Sequence, residues 1–427
     1  MTDRTPSDGA QPDRPAPPRS NWLLPAGVDP AVWPLLAARA LRGFADGAVA
    51  VLLPAYLLAL GLAPFDVGLL STATLLGSAL ATLALGTFGH RWSNRHLLLA
   101  AAGLMAATGL GFAGFSAFWP LLLIAFLGTL NPSSGDVSVF LPLEHARLAD
   151  AATGDARTAL FARYSLTGAL SAALGALAAG LPSWLLIHAQ VPMLQGLRLL
   201  FVLYAGIAGV VWWLYRALPA AAAAANASPS RPAALGPSRG IVLRLAALFS
   251  LDSFAGGLVV NSLLSLWLFK RFGLSLAQAG QFFFWAGLLA AGSQLAAPWV
   301  ARRIGLLNTM VFTHIPANVC LIAAALAPRM EIALALLFMR SALSQMDVPV
   351  RSAFVLAVVT PAERTAAASF TAVPRSLASA ASPALAGALL TAGWLAAPLI
   401  ACGALKIVYD LALLASFRRH SQTRTPD

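Results

Sequence analysis

Only 10% of the 427 residues are charged and 59% are hydrophobic, with a mean hydropathy of +0.77. A water-exposed surface needs about 25% charged residues, so lipid must be the solvent for most of this chain. The net charge of +12 comes from 28 Lys and Arg against 16 Asp and Glu. These basic residues sit mainly in gaps between apolar runs, where they act as topology signals and contacts to anionic lipid, which argues against nucleic acid as a partner.

Residues 1–31 are rich in Pro, Asp and Arg over their first twenty positions and have no apolar core there. They read as a disordered tail without a cleavable signal peptide. Twelve apolar runs follow, each near the roughly 20 residues that span a bilayer: 33–60, 66–89, 96–115, 118–144, 158–182, 196–217, 243–269, 275–300, 306–327, 332–358, 365–390 and 393–416. They are continuous and Ala/Leu-rich, not alternating with period two, so they predict helices and not a barrel. The Ala/Pro/Ser/Gly-rich stretch 219–240 contains no spanning run and reads as a linker. The expected organisation is therefore a first bundle over 32–218, a linker over 219–240, a second bundle over 241–418 and a short tail over 419–427. The side that holds both termini carries seventeen Lys and Arg. The other side carries four (Arg198, Lys270, Arg271 and Arg329), and seven lie within the runs. That asymmetry predicts cytoplasmic termini in a plasma (inner) membrane.

The chain repeats internally. Gly61 and Gly68 around one gap match Gly273 and Gly280 around another at an offset of 212, as do Arg91 and Arg303, Arg163 and Arg375, and Gly175 and Gly387. Phe44 and Gly47 match Phe254 and Gly257 at 210, and Asp136 matches Asp347 at 211. Six spans is an even number, so the halves are parallel repeats about an axis along the membrane normal, with a cavity between them.

The loop after the second span reads Gly86-Thr-Phe-Gly-His90-Arg91-Trp-Ser93-Asn94-Arg95. Together with twelve spans, cytoplasmic termini and a central loop, it resembles the signature of the major facilitator superfamily: a Gly, then Asp-Arg, then a Gly and two basic residues. Gly86, Arg91 and Arg95 fit, while His90 replaces the Asp and Ser93 the second Gly. In the second half Arg303 and Gly305 fit and Arg302 replaces the Asp. The resemblance implies an all-α membrane fold of two pseudo-symmetric six-helix halves that rock about a central site. It also implies a charge-paired gate at this loop, where Glu144 is expected to pair with Arg91 or Arg95. The Gly-Pro signature of the drug antiporters is absent from the fifth run.

Ionisable residues inside a span cost roughly 2.5–3.5 kcal/mol each on insertion scales, so those present should face protein or a cavity. Arg39, Arg42 and Asp46 share the first span, with Arg42 and Asp46 at i,i+4 spacing. Asp347 and Arg351 repeat that spacing, as do Lys406 and Asp410. Asp136 and Arg163, and again Asp347 and Arg375, fall on consecutive antiparallel spans. They can form structural or gate-locking bridges, or the two arginines can hold an anionic substrate. Arg91 and Arg303 complete the gate candidates. Asp46 is the first candidate for proton coupling, with Arg42 modulating it or simply pairing with it. Asp252 sits at comparable depth in the seventh run and is either a second cavity carboxylate or interfacial. Tyr56 and Asn261 are further cavity candidates, alongside Asn131, Trp267, Gln281 and Gln294.

Cys320 and Cys402 lie inside apolar runs and the six His are scattered, so neither a disulfide framework nor a metal site is implied. Clustered His, or acids at metal spacing near one interface, would mark a membrane enzyme and neither occurs, so no enzyme and no cofactor is expected; no Walker-type motif appears, so an ATP-driven pump is not expected either. The expected function is secondary active transport of a small molecule by alternating access, with a proton as the coupling partner and export (antiport) as the favoured direction. The alternative is a non-transporting receptor or assembly protein on the same fold.

Overall fold

The computed structural model describes residues 28–133, 139–219, 236–360 and 363–422. Among them the chain is helical throughout. The first half contains α1 (Trp33–Ala59), α2 (Pro64–Phe88), α3 (Asn94–Gly114), α4 (Phe118–Leu127), α5 (Phe140–Asp150), α6 (Gly154–Ala178), the short α7 (Leu181–Ala189) and α8 (Met193–Arg216). The second contains α9 (Arg239–Gly257), α10 (Asn261–Phe272), α11 (Leu276–Ile304), α12 (Leu306–Leu326), α13 (Met330–Ser344), α14 (Asp347–Val358), α15 (Arg364–Thr391) and α16 (Ala397–Gln422).

Each of the twelve apolar runs coincides with a helix or a pair of helices. Nine helical stretches among the described residues are long and apolar enough to cross a membrane. The fourth, seventh and tenth runs are broken, into α4/α5, α9/α10 and α13/α14. Local chemistry sets several ends. Asp66 accepts from the Ala63 amide at 2.8 Å at the start of α2, and Ser275 with Gln278 forms a reciprocal capping box at the start of α11. Gly61 and Gly273, one of the repeat pairs, both sit at positive φ, 82° and 66°, and close equivalent turns.

The tails are shorter than the sequence suggests. Val28 and Val32 are buried in the core and the Asp29 amide donates to the Ala151 carbonyl at 3.3 Å, so 28–31 belong to the first half. Helix α16 continues to Gln422. The core of the linker, 220–235, lies outside the described residues, as do 1–27.

Large apolar side chains face outward along the helices, including Leu123 at 59% exposure, Leu295 at 62% and Phe312 at 57%. Such a surface is stable only in lipid. Most exposed tryptophans lie near helix ends, among them Trp33, Trp92, Trp119, Trp213, Trp299 and Trp394. That is the distribution of an interfacial aromatic belt.

The packing repeats. Helix α1 lies on α6, α3 on α8 and α2 on α4; the counterparts α9 on α15, α12 on α16 and α11 on α13 form the second half. Between halves, α2 meets α15 and α6 meets α11, again a symmetric pair. Small residues permit these contacts. A Cβ on Gly68 would strike the Pro383 carbonyl and the Gly387 backbone, and one on Gly280 would strike the Ala176 carbonyl. All of these positions lie toward the face away from the start of α1 and the end of α16. There the Phe65 amide, an unsatisfied donor of the first turn of α2, donates to the Thr391 hydroxyl of the other half at 2.9 Å. The Ala384 amide donates to the Thr72 hydroxyl at 3.0 Å. The two halves are thus sealed on this far face.

Candidate functional site

Below the seal the halves separate around a cavity of about 710 Å³. Its walls come from α1, α6, α10, α11, α13 and α14, and its polar lining is Arg39, Asp46, Asn261, Gln294, Arg340 and Gln345, with several serines. The lining reaches Thr158 near the start of α6, Pro298 near the end of α11 and Ser352 in α14. The cavity therefore extends toward the face at which α1 starts and α16 ends.

Asp46 sits at the midpoint of α1, roughly 20 Å from either end at 1.5 Å per residue. Its carboxylate makes no hydrogen bond or ion pair among the described residues, because the guanidinium of Arg42, one turn earlier, is engaged elsewhere. The expected Arg42–Asp46 pair is therefore replaced. Arg42 instead forms an ion pair with Glu144 of α5, with exposures of 2% and 0%. Tyr164 of α6 and Tyr215 of α8 also donate to Glu144, the latter at 2.7 Å, and the Arg42 guanidinium lies 4.1 Å above the Phe140 ring. Glu144 is satisfied by one cation and two hydroxyls, as a buried carboxylate must be. It does not pair with the loop arginines. Arg91 stacks on Phe88 and Arg95 donates to the Arg216 carbonyl at 2.6 Å. Arg303, the repeat of Arg91, stacks on Trp299 at 4.1 Å in the same manner.

A second network occupies the other half. Asp252 of α9 accepts from Lys406 of α16 at 2.6 Å and from Arg351 of α14 at 3.0 Å. Arg351 also pairs with Asp347, the i,i+4 partner the spacing predicts. Asp410 is held by His314 at 3.0 Å and not by Lys406. Asp252 is 3% exposed, neither interfacial nor on the cavity wall, which corrects both expectations for it. Asp347 makes its ion pair with Arg351, not with Arg375. Asp136 falls in 134–138, so the Asp136–Arg163 pairing lies outside the described residues.

Of the remaining candidates, Asn261 and Gln294 line the cavity. Tyr56 does not. It is fully buried and donates to the Phe112 and Phe115 carbonyls at the far end of α3. Trp267 and Asn131 are buried and Gln281 faces outward. Tyr164, Tyr215 and Gln345 carry roles that run counting missed, because a tyrosine is counted as apolar. No group of three or more His, Cys, Asp or Glu placed to hold a metal occurs among the described residues.

Two parallel six-span halves, pseudo-symmetric packing and a central polar cavity define a membrane transporter fold. A family description, Major Facilitator Superfamily, matches residues 35–344, and the chain belongs to that superfamily. It is 24% identical over 410 residues to the uncharacterized membrane protein YJR124C of Saccharomyces cerevisiae, across 88% of this chain and 92% of that one. In fold it is similar to the nucleoside transporter NupG (TM-score 0.70, 14% identity, 91% of this chain and 100% of that chain). It is likewise similar to a D-xylose–proton symporter (TM-score 0.69, 17% identity, 90% and 97%).

Proposed function

We propose that the protein is a secondary active transporter that carries a small solute through the central cavity by alternating access, coupled to protons through Asp46. The observation that carries this reading is a carboxylate at mid-span, on the cavity wall and without a bonded partner among the described residues, between halves sealed on one face. A carboxylate so placed exchanges a proton with whichever side the cavity faces. Arg42 is committed to Glu144 and leaves Asp46 free to titrate. With the termini in the cytoplasm the described state is open inward. The expectation of export rested on a cavity poor in polar groups, and the lining residues lend it no support. Uptake of solute down the proton gradient is equally served by this geometry.

The test is Asp46→Asn in proteoliposomes. Proton-driven accumulation should vanish, while exchange of solute across the membrane and the folded state persist. Undiminished uphill transport by this variant rules Asp46 out as the coupling site. The receptor alternative predicts no solute-dependent proton movement in the wild type at all.

A further inference from the structure

The arginines within the bundle differ in one respect. Arg42 is bound by Glu144, Arg351 is bound by Asp252 and Asp347, and Arg39 lies 5.2 Å from the Tyr164 ring centroid. Arg340, on α13, has no ion pair among the described residues, and its buried Nε meets no hydrogen-bond partner there. It is half-buried and lines the cavity. It lies ten residues into α13, about 15 Å below the far end. A guanidinium held at mid-membrane without a counter-charge is costly, and it presents a fork of donors that suits an oxyanion. Among the described residues the charged lining of the cavity consists of Arg39, Arg340 and Asp46. Asn261, Gln294 and Gln345 add amide groups that donate to an anion or its polar body. At about 710 Å³ the space matches a ligand of drug-like size.

We infer that the transported solute is a soluble organic anion, a carboxylate or a phosphate ester, whose oxyanion is held by Arg340. The inference rests on the transporter reading and adds the substrate class. Burial of an anion here neutralises Arg340, so an occupied cavity is more stable than an empty one.

The experiment uses the full chain purified in neutral detergent and follows thermal unfolding with a panel of probes. The anions are succinate, benzoate and glucose 6-phosphate; the controls are glucose, tetraethylammonium and phosphatidylglycerol. At least one soluble anion should raise the wild-type midpoint by roughly 3 °C or more, with no shift from glucose or tetraethylammonium. Arg340→Gln should lose that shift while melting, without probe, no lower than wild type, since among the described residues Arg340 has no ion pair and no Nε hydrogen bond to lose. Arg340→Lys should keep part of the shift. The inference is overturned if no anion stabilises the wild type, if Arg340→Gln keeps the shift, or if Arg340→Gln alone unfolds early. An Arg340-dependent shift seen only with phosphatidylglycerol assigns the site to a lipid headgroup and also overturns it. Uphill transport of glucose in proteoliposomes would sink the anion inference and leave the transporter reading intact. An Arg340-dependent anion shift without any solute movement would do the reverse.

Discussion

Glu144 shows how a single buried carboxylate organises half of the molecule. Four helices, α1, α5, α6 and α8, meet at its two oxygens through Arg42, Tyr164 and Tyr215. Removing one partner leaves the other charge buried and unpaired, at a cost of about 3–5 kcal/mol. Arg42→Gln and Glu144→Gln should each lower the unfolding midpoint sharply, and the double variant should lose less than the sum of the two. A double-mutant cycle by thermal unfolding checks this; strict additivity would mean that the bridge contributes no coupling. Outside the membrane, Glu363 plays a similar part for the start of α9. It accepts from the Gly236 and Ser238 amides and from the Thr360 hydroxyl. The side-chain hydroxyls of Ser238 and Thr360, followed by the two amides, hold its carboxyl below the usual glutamate value of 4.5. A depressed folded value means that the anchor is at full strength above 4.5 and is lost as pH falls through the lower folded value. Amide exchange at Gly236 and Ser238, corrected for intrinsic rate, should stay slow down to about pH 5 and speed up in stronger acid. Glu363→Gln should be faster at neutral pH and lose the pH dependence.

The contacts that matter for motion lie between elements. Helix α2 seats Gly68 against Gly387 of α15, and the first turn of α2 is capped across the halves by Thr391. This hydrogen bond cannot survive opening of the far face. Thr391→Val keeps shape and removes the acceptor, a loss of about 0.5–1.5 kcal/mol from the sealed state. The population open on the far face should rise roughly two- to tenfold, read from spin-label distances between the ends of α2 and α15. An unchanged distance distribution would show that the bond persists in both states or in neither. Arg42 and Glu144 bridge the first and fourth spans, and Asp252 and Arg351 bridge the seventh and tenth. The two halves thus tie equivalent helices with the charges exchanged.

Across the whole molecule, one face is sealed while the cavity reaches toward the other. The cavity should therefore be reachable from the side of the chain ends in the resting state. In a background lacking Cys320 and Cys402, Asn261→Cys should react with an impermeant thiol reagent from that side only. Adding Gly68→Trp, which cannot fit against Gly387, should make it reactive from the opposite side. Labelling from both sides without the wedge would mean a pore and not an alternating cavity. Labelling from neither would mean that the site is closed on both faces.

The apolar runs, the parity of six spans per half and the 212-residue repeat were all legible in the sequence, because insertion in lipid is decided segment by segment and each segment carries its own record. Gly61 and Gly273 turned out to close equivalent turns for the same reason: a backbone angle is a local property. The i,i+4 pair Asp347–Arg351 was legible too, since helix geometry alone brings those residues together. Which charge meets which across helices was not. Arg42 turned from Asp46 to Glu144, and Lys406 turned from Asp410 to Asp252, because the packing of neighbouring helices brings a carboxylate of another helix within reach of each cation. The charge-exchanged bridges escaped comparison of the halves, since Arg42 and Asp252 are equivalent positions of opposite charge while Glu144 and Arg351 are not equivalent positions at all. Only the tertiary packing separated Asp46 and Arg340, which face the cavity, from Asp252 and Arg42, which are sealed behind it.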